Sequence, residues 1–290
     1  MESLIAAIED NLLTFVAFVF VFSLGLMVVE FLWEWRKGKL TREYFKEIGV
    51  SLSVQIPSSI TEALLAGTVV AIYGATYDSL PFHVPIAWWS TLLLLVFVDF
   101  IHYWTHRWEH EVRGLWTHHS VHHSSPIYNY STAFRVVFTR QFFDIAYYFV
   151  LVLLGFHPIL IFACLQIIAV YQFWLHTQLI RRLGPLESIL MTPSHHRVHH
   201  GSQPEYLDKN YGALTVLWDK LFGTFAPERA PVKFGLTTPI GTTNPLEVHF
   251  YEYARLLRDL SRAGRWRDRW NYVARPPGWR PPRGNTGTGS

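Results

Sequence analysis

Apolar runs at 11–33, 53–73, 86–103, 142–155 and 158–173 leave this chain few ways to fold. A helix needs roughly 20 mostly apolar residues, or somewhat fewer, to cross a bilayer. In hydrocarbon every backbone N–H and C=O must be satisfied within the protein, so runs of this length read as helices. The first run is too long, and too poorly supplied with a small-residue cleavage site, to be a signal peptide. Gln55, Pro57 and Glu62 interrupt the second. The last two are short and meet at Gly155-Phe156-His157-Pro158, a tight break that makes them a helical hairpin stopping short of the far side. Half of the 290 residues are apolar and only 16% are charged, against about a quarter charged in a soluble domain. Length by itself leaves a single soluble domain open. The expected fold is an all-α integral membrane protein, with about four transmembrane helices or hairpin spans and a cytoplasmic histidine-rich helical cap.

Charge placement sets the orientation. Arg36, Lys37, Lys39, Arg42 and Lys46 follow the first run, whereas the N-terminus carries Glu2, Glu9 and Asp10 and no basic residue. The excess of Lys and Arg on cytoplasmic loops puts the N-terminus outside and 36–46 in the cytoplasm. Two more spans return the chain to the cytoplasm near Tyr103. The hairpin then enters and leaves on that side, ending near His176. Nine Arg lie between 255 and 283, with four Pro between Pro276 and Pro282. That stretch reads as a short amphipathic helix followed by a disordered tail. Trp266, Trp270 and Trp279 among the arginines would also suit anionic headgroups. The lone Cys164 excludes a disulfide framework and a cysteine-based metal site. A net charge of +3 is too small to argue for nucleic acid.

Eleven of the fifteen histidines fall in two short windows, seven in 102–123 and four in 195–200. His106 and His110 are four residues apart. His119, His122 and His123 follow an i, i+3, i+4 pattern, which His196, His199 and His200 repeat. On a helix each set projects from one face, so three short helical faces could aim eight imidazoles at one point. His176 ends the hairpin on the same side and is a ninth candidate. Neutral imidazole ligates iron, zinc, copper or nickel. Without a cation, so many clustered rings would leave ring nitrogens unsatisfied. Two metals with open positions account for the number. Asp99, Glu111, Asn129, Asp208 and Asn210 are the nearby groups that could orient the rings or contact a cofactor. No catalytic side chain is expected beyond the ligands.

A lone histidine is ordinarily a surface or satisfied core residue. That reading covers His83, His157 and His249 and stays open for His102, His118 and His195. The stretch His106-Arg-Trp-Glu-His110 is not the zinc-protease motif, because its Glu is misplaced. No Glu-x-x-His pair, nucleophile elbow, phosphate loop or dinucleotide fingerprint is present. Electrons for any oxygen chemistry must therefore come from a separate protein or small reductant. A zinc enzyme or metal transporter using the same histidines, and a non-catalytic lipid-binding membrane protein, stand as alternatives.

The three boxes, His106-Arg-Trp-Glu-His110, His119-Ser-Val-His122-His123 and His196-Arg-Val-His199-His200, resemble those of the fatty acid hydroxylase (sterol desaturase) superfamily. The likeness runs over about 87–227 and includes Asn210-Tyr-Gly and the end Trp218-Asp219…Phe222-Gly-Thr-Phe225. It implies two iron ions, O2 as co-substrate, and hydroxylation or desaturation of a lipid C–H bond. It divides the chain into a transmembrane region (1–83), a di-iron catalytic region (84–227) and a cytoplasmic C-terminal segment (228–290). Val121–Arg135, Leu183–Gly201 and Asp208–Phe225 resemble the alkylglycerol monooxygenase branch, which hydroxylates the carbon beside the ether oxygen of glyceryl ethers. The animal enzymes of that branch use tetrahydrobiopterin, and Glu111 matches a Glu of their pattern. The resemblance thus offers a pterin as reductant. Sterol or fatty-acyl desaturation is the alternative within the superfamily. The expected partners are a lipid, the membrane and an electron donor, with Trp104 and Phe173 among the walls of an apolar substrate slot.

Overall fold

A computed structural model describes the backbone of residues 2–282 and the side chains of 14 and of 17–282. The Glu2, Glu9 and Asp10 side chains and the tail 283–290, on which the orientation and the disordered end partly rest, lie outside the described residues. Among the described residues ten α-helices follow in order: α1 (Glu2–Arg36), α2 (Arg42–Ser79), α3 (Trp88–Glu111), α4 (Arg113–His122), α5 (Arg140–Leu153), α6 (Pro158–Leu175), α7 (Pro193–His199), α8 (Leu217–Phe222), α9 (Pro245–Arg262) and α10 (Trp266–Ala274). Single 3-10 turns occupy Tyr130–Phe134 and Gly184–Ser188. Among the described residues there is no strand, only one isolated bridge between Leu190 and Thr215.

Among the described residues three helices are long and apolar enough to cross a membrane: Ala17–Arg36 of α1, all of α2, and α6. At 38 residues, α2 measures about 57 Å, nearly twice the roughly 30 Å hydrocarbon core. A helix of that length tilts or extends beyond the core, and in its first turns Tyr44, Glu47, Val50, Ser51 and Val54 are buried against protein. The run at 142–155 folds as α5, whose 14 residues give about 21 Å, too short to span alone. The run at 86–103 folds within α3, which is not among the three because Asp99 and three histidines share its length.

The α5–α6 hairpin turns at Gly155, whose φ of +84° suits glycine, and an added Cβ would come within 3.0 Å of the Phe82 ring. Its carbonyl accepts the Val84 N–H at 2.8 Å, so the loop before α3 seals the hairpin tip. Tyr73, Leu94, Val98, Leu151, Ile161 and Ile168 form the core between α2, α3, α5 and α6.

What sits above that core follows from one helix. Buried positions of α3 climb in steps of four residues: Ser90, Leu94, Val98, His102, His106 and His110. The stripe is apolar below and imidazole above. Val112 breaks the helix, and α4 folds back onto α3. The C-terminal segment closes over α4: Arg113 pairs with Asp259 of α9 at 2.6 Å and donates its backbone N–H to the Arg275 carbonyl. Two aspartates fix the loop after α7. Asp99 accepts from the Leu214 N–H, the Thr215 hydroxyl and the Trp218 indole. Asp219 accepts from the Tyr211 and Gly212 N–H groups and the Thr224 hydroxyl.

Candidate metal centre

Nine imidazoles from α3, α4, the end of α6 and α7 converge in two groups. His106, His110, His119, His123 and His199 make the first, and His122, His176, His196 and His200 the second. Within each group one ligand-capable atom per residue lies within 4.8 Å of the others. The sequence pattern aims all the rings at one point, whereas the structure divides them. Each triplet is split: His119 and His123 go to the first group and His122 to the second, while His196 and His200 go to the second and His199 to the first. The groups adjoin, with the His123 and His200 rings 4.3 Å apart.

Proton positions leave inner ring nitrogens that a cation would satisfy. His106 Nδ1 lies 2.9 Å from the Tyr211 carbonyl, His199 Nδ1 3.0 Å from the Lys209 carbonyl and His176 Nδ1 2.8 Å from the Gln172 carbonyl. His119 Nδ1 is 2.9 Å from the Glu109 carboxylate. Oxygens of this kind only accept, so each Nδ1 carries the proton and each Nε2 of a neutral ring is a bare lone pair. Yet His106 Nε2 and His119 Nε2 are 3.1 Å apart, and no hydrogen lies between them. His199 Nε2 is likewise buried without a partner. Nitrogens bound at about 2.1 Å to one ion, at right angles, lie about 3.0 Å apart. The spacings of 3.0 Å from His119 to His123 and from His176 to His196, and 3.2 Å from His122 to His176, fit the same picture.

Burial favours the neutral form, the one that binds metal, in His106, His119, His122, His123, His176, His196, His199 and His200. It pushes the His119 and His176 pKa values down to about 4, against an opposing pull from Glu109 on His119 and from backbone carbonyls on His176. Burial and neighbouring imidazoles push His106, His122, His123, His196, His199 and His200 well below the ordinary value. A histidine whose folded pKa is depressed contributes stability that is present above its unfolded pKa and is lost as the pH falls. Chelator-treated protein should therefore lose thermal stability as the pH drops from about 6.5 towards about 4. A melting temperature constant across that window would contradict this burial.

Among the described residues, cavities reach the histidines from several sides. One of about 370 Å3 touches rings of both groups, His106 and His119 from the first and His122, His176 and His196 from the second, with Val19, Phe134 and Phe173 among its apolar walls. A larger one of about 610 Å3 lies between α2, α3, α5 and α6. A third, of about 160 Å3, reaches His110, His123, His199 and His200 from the side of Asp208 and Pro276. Phe173 thus stands where a slot wall was expected. Trp104 does not, because its ring packs on Phe222 and under Arg107, away from these cavities.

The side chains expected to orient the rings are mostly employed elsewhere. Glu111 is half-exposed and pairs with Arg107 at 2.8 Å, without reaching an imidazole. Asn129 caps the 3-10 turn through the Ser131 N–H. Asn210, at φ +59°, ties the His195 and Ala226 carbonyls together. Asp99 holds the 214–218 loop. Asp208 alone comes near, 3.6 Å from His110 Nδ1. The missed residue is Glu109, buried between His118 Nε2 at 3.1 Å and His119 Nδ1. Burial alone would raise its pKa, but Arg140 and the two histidines hold it well below the usual carboxylate range. It lies one turn past His106 on the imidazole face of α3, and that spacing was a readable signal. His118 and His102 fall outside both groups, His102 Nε2 lying 2.9 Å from the Gln172 amide. His195, also outside, packs against Phe225. His83 lies on Tyr77, His157 caps α6 and His249 stacks on Phe138.

The profile described as fatty acid hydroxylase matches residues 91–224, which contain all nine histidines. Alkylglycerol monooxygenase of Danio rerio is 39% identical over 89% of this chain and 58% of its own length. The Homo sapiens protein of that name is 37% identical over 90% and 59%. Ornithine lipid hydroxylase of Rhizobium tropici is 33% identical over 83% of this chain and 72% of its own. The chain spans about three fifths of the length of the alkylglycerol monooxygenases it matches. No solved structure matches. Three bilayer-length helices, two facing groups of histidines and these relatives lead to one assignment: the chain is an integral membrane protein and belongs to the fatty acid hydroxylase family.

Proposed function

We propose that the protein is an oxidoreductase, an O2-dependent lipid hydroxylase whose 84–227 region holds two iron ions, one on each histidine group. The observation that carries this reading is the opposition of the His106 and His119 lone pairs, 3.1 Å apart beside a cavity with apolar walls. Bound there, iron would supply the activation of O2 that an unactivated C–H bond requires, since such a bond offers no proton for a base to remove. The chain does the rest. Glu109 and the Tyr211, Lys209 and Gln172 carbonyls hold the outer ring nitrogens, so the inner ones point inward. Phe134, Phe173 and Val19 exclude water from the side where a lipid would lie. Relatives named alkylglycerol monooxygenase support a glyceryl ether as substrate, and the ornithine lipid hydroxylase supports lipid hydroxylation more broadly. Sterol or fatty-acyl desaturation is the competing reaction. The basic 36–46 segment supports a cytoplasmic active site, where a separate reductant, a pterin or an electron-transfer protein, would deliver electrons.

Purified protein should contain about two iron ions per chain and convert a 1-O-alkylglycerol only with O2 and a reductant. Chelation should abolish turnover and ferrous iron restore it. His122→Ala should lose turnover as well. Stoichiometric zinc, with activity indifferent to iron removal, would sink the di-iron reading.

A further inference from the structure

The two larger cavities share His102, Arg140, Asp144, Gln166, Ala169 and Gln172, so they join at a polar collar inside otherwise apolar walls. Arg140 is the unusual member. Its Nε donates to Asp144 at 3.2 Å. Among the described residues no protein hydrogen bond reaches its two terminal nitrogens. Its side chain is 26% accessible, and the residue lines both cavities. A guanidinium has five N–H donors, so about four are left facing the cavities. An arginine in so apolar a setting is costly unless its donors are used. Its charge, by contrast, already has counterparts in Asp144 and Glu109. What its terminal N–H groups lack is a hydrogen-bond partner rather than a counter-ion.

We infer that Arg140 donates hydrogen bonds to a neutral oxygen, ether or hydroxyl, of the bound lipid, with the reacting carbon beside the histidines and the alkyl chain in the 610 Å3 cavity between α2, α5 and α6. The inference rests on the lipid-hydroxylase reading for its substrate class. Leu65, Val69, Phe162 and Leu165 give that cavity the walls an alkyl chain requires. The apolar walls bind any chain of the right girth. Arg140 would select a lipid bearing oxygen at the collar and fix which carbon meets the metal, because only that register uses its donors.

The test is binding to metal-loaded, full-length protein in detergent, measured whether or not the protein turns over. A failure of the hydroxylase reading then leaves this result intact. The probes are 1-O-hexadecylglycerol, its analogue with a methylene in place of the ether oxygen, a plain hydrocarbon of equal length, and hexadecyl phosphate. Wild-type protein should bind 1-O-hexadecylglycerol at least about tenfold tighter than the hydrocarbon, and Arg140→Lys, which keeps the charge but not the fork, should remove most of that difference. If the methylene analogue is already weak and indifferent to the substitution, the ether oxygen is the partner. If it weakens in parallel, the partner is a hydroxyl. Equal weakening of the hydrocarbon, no weakening of the glyceryl ether, or tighter binding of the phosphate would each overturn the inference. Should Arg140→Lys fail to load metal, Arg140→Gln, which also removes the fork, repeats the comparison with the same outcomes.

Discussion

His119→Ala is expected to leave one bound metal ion per chain instead of two, and to lower turnover by more than about a hundredfold, beyond the upper end of what losing a group outside the ligand set costs. His119 is the hub of the first group. Its Nε2 lies 3.1 Å from His106 Nε2 and 3.0 Å from His123 Nε2. Removing it takes away a ligand and the ring that links its neighbours. The comparison that gives the result meaning is His118→Ala. His118 is adjacent in sequence and as deeply buried, but its ring stacks on Phe143 and its Nε2 faces Glu109. Its loss should cost stability and leave two metal ions bound. Metal analysis of both variants after gel filtration decides between a ligand and a buried structural histidine. Equal metal loss in the two would mean that burial in this cluster, not ligation, governs binding.

That contrast shows how much the spacing alone could say. Neighbouring helical residues point about 100° apart, so His122 and His123 cannot easily serve one ion. The split of each triplet between two groups is therefore implicit in the i, i+3, i+4 pattern, although the pattern does not reveal which residue goes where. The second triplet reverses the assignment of the first, and that reversal is set by tertiary packing. The helices were legible for a similar reason. Apolar runs mark α1, α2, α3, α5 and α6, but their lengths do not distinguish a span from the short hairpin arm that α5 forms. The ring-orienting groups were the least legible. Three of the four are backbone carbonyls, which any residue type can provide. Glu111 looked suitable by adjacency to His110 and by its match to the family pattern, but one residue is a quarter-turn or more around the helix. Asp99 and Asn210 looked suitable because they are polar beside histidines. Asp99 instead holds the 214–218 loop against α3, and Asn210 ties the His195 and Ala226 carbonyls together.

Glu109 carries the second large effect. Its carboxylate reaches His118 and His119 and helps balance Arg140, all within a buried site. Glu109→Gln keeps size and one acceptor but removes the charge. It should weaken metal binding by about 10–100-fold, because the His119 ring loses the negative charge that makes its inner nitrogen a stronger donor. Glu109→Leu removes the acceptor as well. It strands the His119 N–H and part of the Arg140 charge, and should cost about 3–5 kcal/mol of stability in addition. Competition with a chelator measures the first effect and thermal unfolding the second. The graded order is the informative part. If Gln behaved as wild type in metal affinity while Leu merely destabilised the fold, Glu109 would be a packing group that happens to touch histidines. A loss of affinity in Gln at nearly unchanged stability would instead make the carboxylate part of what gives His119 its hold on a metal.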